Sequence, residues 1–475
     1  MKGERKTEFK NYFEKLAPDY IQYKKKFSYY WNNIIAYSNF FINDTDSVLE
    51  IGCGIGDTLS KLKGAKKTGI DFSPNMIKQA RVLYPELEFY EMDAESLNLS
   101  QKYDVIVFSN TVGYFENVQD VFIAMQKVVH PRTRIIIAAY NYTWEPILRL
   151  AEYLHLKKKS PRQNWLSIKD LDNLLYISGF EAYKHTKRML LPIHLPLISH
   201  LVNKFVAKLP IFNLMCLDQF IFARPMPCPI PPESQEFTTS IVIPARNESG
   251  NIENAILRTP NFGKGVEIIF IEGNSTDDTW QKINEIAEKY KNTHNIKIGQ
   301  QTGKGKGDAV RKGFDIATGD ILMILDADLT VPPEELPKFY AAIASGKAEF
   351  INGSRLIYPM AAKAMRPLNN LGNRFFSKAF SWLLEQQIRD TLCGTKVMFR
   401  SDYQKLVKNR NYFGEFDPFG DFDLIFGAYK LNLKIIDMPI RYEERTYGET
   451  NISRFKHGWL LLRMVGFALG KIKFW

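Results

Sequence analysis

At 475 residues the chain is too long for one ordinary core, so two domains of roughly 200 to 250 residues are expected. Its 45% hydrophobic and 24% charged residues are globular proportions, with no apolar run long enough to cross a bilayer and no secretory leader expected from the charged start Met1-Lys-Gly-Glu-Arg-Lys-Thr7. The net charge of +11 suits an anionic partner such as a nucleotide diphosphate, a lipid phosphate or an acidic membrane surface, whereas no nucleic-acid motif accompanies it.

Residues 1 to 45 read as mostly helical, with aromatics (Phe9, Tyr12, Phe13, Tyr20, Tyr23) set among lysines, which suits a lid or capping segment. Ser47 to Gly56 then runs a strand into a glycine-rich turn, and a helix begins at Asp57. Gly52, Gly54 and Gly56 let the backbone turn tightly and let a bulky cofactor approach it. A second strand, Lys67 to Asp71, ends in a carboxylate 19 positions beyond Gly52, the reach needed to hold a ribose diol. A dinucleotide dehydrogenase competes for this reading, but in G-x-G-x-x-G the third glycine comes one position later than Gly56.

The run Glu50-Ile-Gly52-Cys-Gly54-Ile-Gly56 resembles the E-x-G-x-G-x-G motif of the class I S-adenosylmethionine-dependent methyltransferases. The resemblance extends to Asp71, to Asp93-Ala94, where that family contacts the adenine, and to a fourth strand over Tyr103 to Asn110. It implies S-adenosylmethionine held by Glu50, Gly52, Gly54, Gly56, Asp71, Asp93 and Ala94. Asn110, Tyr114 and His130 are acceptor-site candidates by position alone, and no base is assigned, since attack on a sulfonium methyl needs little beyond proximity and desolvation.

From Phe180 to Arg224 the sheet is expected to finish as an antiparallel pair, with Leu217 to Ala223 as the last strand. An insertion interrupts it, in which Leu197, Ile198, Leu201, Val202, Phe205, Val206 and Leu209 share one helical face and Ser199, His200, Asn203, Lys204 and Lys208 the other. Such a face packs on the protein's own core in the commoner case and on a membrane surface in the other. Arg224 to Glu236 is proline-dense and reads as a semi-rigid connector, which gives domains over 1–226 and 238–475 with a linker at 227–237. The four cysteines, Cys53, Cys216, Cys228 and Cys393, form no zinc or C-x-x-C spacing and read as reduced thiols, so a cytoplasmic protein is expected, with peripheral contact at the cytoplasmic face of a membrane as the further expectation.

Beyond the linker, Thr238 to Ala245 reads as a strand stopped by Pro244, with a helix from near Asn251, and Val266 to Glu272 as a second strand leading to a helix from Asp278. The Ser-, Thr- and Asp-rich loop between them offers acceptors for a base and a ribose, or caps the helix. Gly303-Lys-Gly-Lys-Gly-Asp308 is not a P-loop, because G-x-x-x-x-G-K-[ST] is absent. Ile321 to Leu325 is a continuous apolar run that reads as a doubly buried parallel strand, and it ends in Asp326-Ala-Asp328, where open α/β sheets bind ligands. Two adjacent carboxylates there repel unless a cation lies between them, and Mg²⁺ or Mn²⁺ bridging to a substrate diphosphate would satisfy both. The C-terminal stretch Lys456 to Trp475 is apolar with sparse cations, suited either to the domain core or to a membrane interface.

Read together, these segments resemble a family 2 glycosyltransferase with the GT-A fold, and within it the dolichol- and polyprenyl-phosphate sugar transferases, over residues 238 to 455. The resemblance implies a nucleotide-sugar donor bound by Pro244, Ala245, Arg246, Glu248, Glu272, Ser275, Asp277, Lys306 and Asp308, a metal on Asp326 and Asp328, and phosphate contacts from Arg355 and Arg445. One departure is Glu272-Gly-Asn-Ser275 where the family has Asp-Asp-Gly-Ser. A hydroxyl acceptor would need a base, Asp423 first and Asp421 second; a phosphate acceptor is already ionised and would instead need cations, for which Arg355, Arg366, Arg374 and Arg445 are available. The expectation is therefore two tandem Rossmann-like α/β domains, a methyltransferase followed by a metal-dependent inverting glycosyltransferase acting on a polyprenyl phosphate or glycan. The alternative is a surface-polysaccharide transferase acting on a sugar hydroxyl, with the first domain a non-catalytic cofactor sensor or scaffold.

Overall fold

The computed structural model describes residues 4–227, 236–356, 367–408, 420, 422–445, 447 and 454–474. Asp421, Arg366, Cys228 and most of the proline-rich connector lie outside them. Two compact units divide between Met226 and Pro227.

The first unit is built on strands β1 (Ser47–Ile51), β2 (Lys66–Asp71), β3 (Glu88–Glu91), β4 (Tyr103–Ser109), β5 (Val129–Tyr140), β6 (Phe180–Arg188) and β7 (Asp218–Pro225). They form one sheet in the order β3-β2-β1-β4-β5-β7-β6. Strands β1 to β5 are parallel, and β7 runs antiparallel to both β5 and β6. This is a doubly wound sheet whose order reverses beside β1, so a crevice opens between the carboxyl ends of β1 and β4. The central strands are apolar because both their faces are covered: Val48, Leu49 and Ile51 are buried, as are Val105 to Phe108. Helix Pro74–Leu83 shows the local logic on one flank. Ser73 caps it by accepting from the Met76 N–H, proline occupies its first turn, and Met76, Ile77 and Ala80 face inward. The last strand in sequence, β7, is not the last in space, since the chain returns from the insertion between β5 and β6.

The second unit carries β8 (Thr238–Ala245), β9 (Gly265–Glu272), β10 (Asn295–Gln300), β11 (Ile321–Ile324), β12 (Phe350–Ser354), β13 (Lys396–Phe399) and β14 (Ile435–Pro439). Their order is β10-β9-β8-β11-β13-β12-β14, with β10, β9, β8 and β11 parallel and β13 antiparallel to both neighbours. β8 continues through Pro244 to Ala245 rather than stopping at the proline; its pairing with β11 has already ended at Val242. The strand β11 is buried along its whole length and sits beside β8 at the reversal of strand order, which brings Asp326 and Asp328 to the crevice. Within this unit the C-terminal helix Arg454–Ala468 packs against helix Pro367–Leu384, burying Leu461, Met464 and Ala468 while Trp459 and Leu462 stay exposed. No helix among the described residues is long and apolar enough to cross a membrane.

Candidate active sites

In the first unit the glycine turn crosses the carboxyl ends of β1, β2 and β4. Gly52 and Gly56 adopt φ of +76° and +78°, and a side chain would drive the first into Thr111 and the second into Phe89. Asp71 closes the turn by accepting from the Gly54 N–H at 2.8 Å and the Ser73 N–H at 3.0 Å. Burial pushes its carboxyl up to about 6 against the pull of those N–H groups. Glu50 is 1% exposed, and its Oε2 has no hydrogen-bond partner. Burial raises the Glu50 carboxyl, with Lys24 opposing.

The cleft over this turn includes Tyr20, Lys24, Glu50, Gly54, Asn110 and Tyr140 in its walls. A smaller cavity runs from Gly52 and Asp71 to Asp93 and Ala94. Gly52, Asp71, Phe72, Tyr114 and Phe115 line both, so the two form one groove with Glu50 toward one end and Asp93 toward the other. Helices Glu4–Leu16, Tyr20–Lys26 and Ser28–Phe41 supply the aromatic residues that cover it. The first of these is fastened at both edges: Lys6 is ion-paired to Asp93 and Glu95, and Glu14 accepts from the Ser73 hydroxyl at 2.7 Å.

At the far wall Asn110, itself at φ +57°, donates to the Tyr30 hydroxyl, which donates to Asp218 Oδ1 at 2.7 Å. Burial lifts the Asp218 carboxyl to about 8, with the Tyr30 hydrogen bond opposing. Tyr114 lines the groove, whereas His130 does not. It pairs with Asp104 at 3.2 Å where β4 and β5 begin, at the opposite end of the sheet.

In the second unit Asp326 and Asp328 leave β11 already matched to cations. Lys306 Nζ lies 2.5 Å from Asp326 Oδ1, and Arg445 bridges Asp328 at 2.6 Å and Glu248 at 2.9 Å. Burial by itself would raise Asp326, but Lys306, then Lys396 and Arg355, bring it below the usual carboxylate range. Burial lifts Glu248 above its usual value, with Arg445 opposing. Gly394 packs so closely on the Asp326–Lys306 pair that any side chain there would collide with both. Among the described residues no three His, Cys, Asp or Glu side chains gather as a metal cage. Two carboxylates at one strand end are nevertheless the donor set that Mg²⁺ uses when substrate phosphates and water complete its shell.

The candidate donor-binding residues lie at the ends of β8 and β9 and on the segments that follow β8, β9 and β10. Glu272 holds its own loop, accepting from the Ser275 N–H at 2.5 Å and from Gln300 at 3.2 Å. Ser275 accepts from the Asn247 N–H, Asp277 from the Thr279 N–H and hydroxyl, and Asp308 from the Gly303 N–H. Pro244 and Ala245 end β8, and Arg246 beyond them is exposed. Asp423 is 8% exposed near the start of helix Phe422–Lys430, and Gly420 just before it packs against Gly307, next to Lys306. The Arg355 guanidinium forks onto the fully buried Asp390 at 2.7 and 2.9 Å. Arg374 is exposed on helix Pro367–Leu384.

Residues 240–408 match the family described as glycosyl transferase family 2, and residues 42–181 match a family described as a methyltransferase domain. The chain joins a methyltransferase domain to a glycosyl transferase family 2 domain. Both are transferase families, which places the protein among enzymes. Over 121 residues it is 38% identical to a dolichol-phosphate mannosyltransferase of Pyrococcus furiosus, covering 25% of this chain and 33% of that protein. Over 222 residues it is 26% identical to an undecaprenyl-phosphate 4-deoxy-4-formamido-L-arabinose transferase of an Enterobacter species, covering 45% of this chain and 62% of that one. The chain thus spans less than two thirds of the length of these relatives. A SAM-dependent methyltransferase structure from Thermotoga maritima, a possible histamine N-methyltransferase, covers 46% of this chain and 99% of its own at 14% identity, with a TM-score of 0.36.

Several groups in the two domains have no sequence motif to announce them. In the methyltransferase domain Lys24 is buried, donates to the Thr58 hydroxyl at 3.0 Å and lies 3.1 Å from the centre of the Trp31 ring. Burial lowers its pKa, with Glu50 opposing. Its one signal in the sequence is its place among aromatics in the cap. Asp218 could have been noticed as the only acid in a strand whose centre, Phe220 to Ala223, is apolar. In the glycosyltransferase domain Asp390, the partner of Arg355, lies 35 residues away along the chain and only the fold brings them together.

Proposed function

We propose that the glycosyltransferase domain moves a sugar from a nucleotide donor to a polyprenyl phosphate or a glycan, and that the methyltransferase domain methylates a glycan or lipid intermediate with S-adenosylmethionine. The observation that carries the first half is Asp326 and Asp328 at the end of β11, each paired with a cation, Lys306 or Arg445. Asp326 and Asp328 would hold Mg²⁺ or Mn²⁺, which when bound supplies Lewis-acid stabilisation of the departing diphosphate. Lys306 and Arg445 add fixed positive charge beside the same phosphates, where it is needed as the leaving group gains charge. The loops from Pro244 to Glu248 and from Glu272 to Asp277, with Asp308, would seat the nucleotide.

The names of the two relatives above, dolichol-phosphate and undecaprenyl-phosphate transferases, favour a lipid phosphate as acceptor. Such an acceptor is largely ionised at neutral pH and asks for cations rather than a base. The second reading, a sugar hydroxyl on a surface polysaccharide, draws on Asp423, a buried carboxylate three residues beyond Gly420, which packs on Gly307; Asp423 would take the hydroxyl proton.

For the methyltransferase half the support is the continuous groove and the unpartnered Glu50 Oε2, which an ammonium group of the cofactor would satisfy. Asp71 would accept from the ribose hydroxyls, and Asp93 with Ala94 would meet the adenine. Purified protein with Mg²⁺ or Mn²⁺, labelled UDP- and GDP-sugars and a short polyprenyl phosphate tests the first half. Metal-dependent label in the organic phase is the expected outcome. Nucleotide consumption with all label left in water would replace the lipid acceptor by the glycan.

A further inference from the structure

The insertion between β6 and β7 folds with its apolar side outward. Helix Ile198–Lys204 buries Ser199 and Asn203, while Leu197 is 80% exposed, Ile198 56% and Leu201 53%. Farther along, Ile211, Leu214 and Met215 are 75%, 64% and 60% exposed. The polar side is turned inward by specific bonds. Ser199 Oγ donates to the Ile193 carbonyl at 2.5 Å and accepts from the Leu195 N–H at 2.8 Å. Asn203 Oδ1 accepts from the N–H groups of Leu190 and Leu191 at 2.8 and 2.9 Å, while its Nδ2 donates to the Leu191 carbonyl at 2.7 Å and the Tyr29 hydroxyl at 2.9 Å. Turning the helix over to hide its leucines would leave all of these groups unsatisfied.

A second apolar face adjoins the first. Helix Glu145–Tyr153 exposes Ile147, Leu150 and Tyr153, three residues apart and therefore on one side. Trp144, just before that helix, donates from Nε1 to the Met215 carbonyl at 2.7 Å, which ties the two segments together. Both leave the sheet where the groove opens. Tyr140 ends β5 and lines the cleft, and it pairs in register with Asp218, which pairs with Arg188 at the end of β6.

Charge selects the occupant. From Ala182 to Leu217 the chain has no acidic residue; of its cations Lys184, Arg188 and Lys208 are buried, and those that reach the surface are the half-buried Lys187 and Lys204. A second copy of this chain would set cations against cations, whereas anionic headgroups would complement them. We propose that this face docks on the surface of an anionic phospholipid bilayer, which brings the mouth of the methyltransferase groove to the membrane. Docking stands on its own observations; the consequence, that the methyl acceptor is carried on a lipid, rests on the methyltransferase reading given above.

Sedimentation of the full chain with phosphatidylglycerol–phosphatidylcholine vesicles, against phosphatidylcholine alone, tests it. Preferential binding to the anionic vesicles is expected. Leu197→Ser combined with Ile198→Ser, Leu201→Ser and Ile211→Ser should lower that partition at least tenfold, while S-adenosylmethionine affinity by calorimetry stays unchanged. Lys204→Glu, which leaves the apolar face whole, should reduce the preference for anionic vesicles. No vesicle binding by the parent protein would overturn the proposal, as would equal binding by the fourfold variant. A concentration-dependent dimer that the same substitutions dissolve would overturn it in favour of a second copy. Absent cofactor binding in the parent protein would remove the methyltransferase reading and leave the docking result standing.

Discussion

Both domains set carboxylates at the crevice of a doubly wound sheet, yet the two sites have opposite electrostatic characters. In the methyltransferase groove burial dominates, raising Glu50, Asp71 and Asp218 and lowering Lys24. In the glycosyltransferase crevice fixed cations dominate, holding Asp326 and Asp390 below the usual carboxylate range despite burial. A carboxylate that burial has pushed toward its neutral form gains most from an arriving cation, as the sulfonium and ammonium of S-adenosylmethionine would be. In the crevice three carboxylates, Asp326, Asp328 and Glu248, share two cations, Lys306 and Arg445, so they stay ionised, the state in which a divalent cation carried by a diphosphate would meet them. Similar strand ends thus differ in whether burial or fixed cations set the state of their carboxylates.

The strongest way to break this comparison is Asp328→Asn. Sugar transfer should fall by about 100-fold or more, the scale of losing a principal electrostatic group, with S-adenosylmethionine affinity unchanged. Retained transfer in the label assay would remove Asp328 from the proposed metal site. Gly54→Val should act in the other domain alone. Gly54 has φ +54° and an added Cβ would lie 3.2 Å from the Tyr20 ring, so cofactor affinity measured by calorimetry should drop by more than about tenfold, or about 1.4 kcal/mol, with sugar transfer intact.

Arg355→Met sharpens the contrast through stability. It leaves Asp390 buried without its partner and should cost about 3–5 kcal/mol in the second domain, read as a lowered unfolding midpoint; an unchanged midpoint would return Arg355 to a purely phosphate-binding role. A pH-dependent effect concerns Asp218. Its folded carboxyl stands near 8, above the unfolded value of about 3.9, so its protonated form stabilises the fold at low pH and that contribution is lost as pH rises through about 8. Thermal unfolding between pH 5.5 and 8.5 should therefore show a decline that Asp218→Asn flattens, and parallel curves for the two proteins would count against a buried neutral Asp218.

The strands were the most legible part of the chain. Apolar runs such as Ile321 to Leu325 have few alternatives to a doubly covered strand, and the glycines at 52, 54 and 56 announce a turn that side chains would block. The positions of Asp71, Asp326 and Asp328 follow, because a carboxylate directly after such a strand must emerge at the sheet's edge. Arg355 was not legible in this way. The family resemblance implies a phosphate contact for it, while the structure also gives it Asp390, a partner visible only once β12 and the segment before β13 are folded side by side.

The insertion shows most clearly where the sequence stops deciding. Its periodicity determined that Leu197, Ile198 and Leu201 share a helical side and that Ser199 and Asn203 share another. Which side faces the protein was decided by tertiary structure. Asn203 and Ser199 meet the backbone of residues 190 to 195 and Tyr29, and those unpaired backbone groups outweigh the gain from burying three aliphatic side chains.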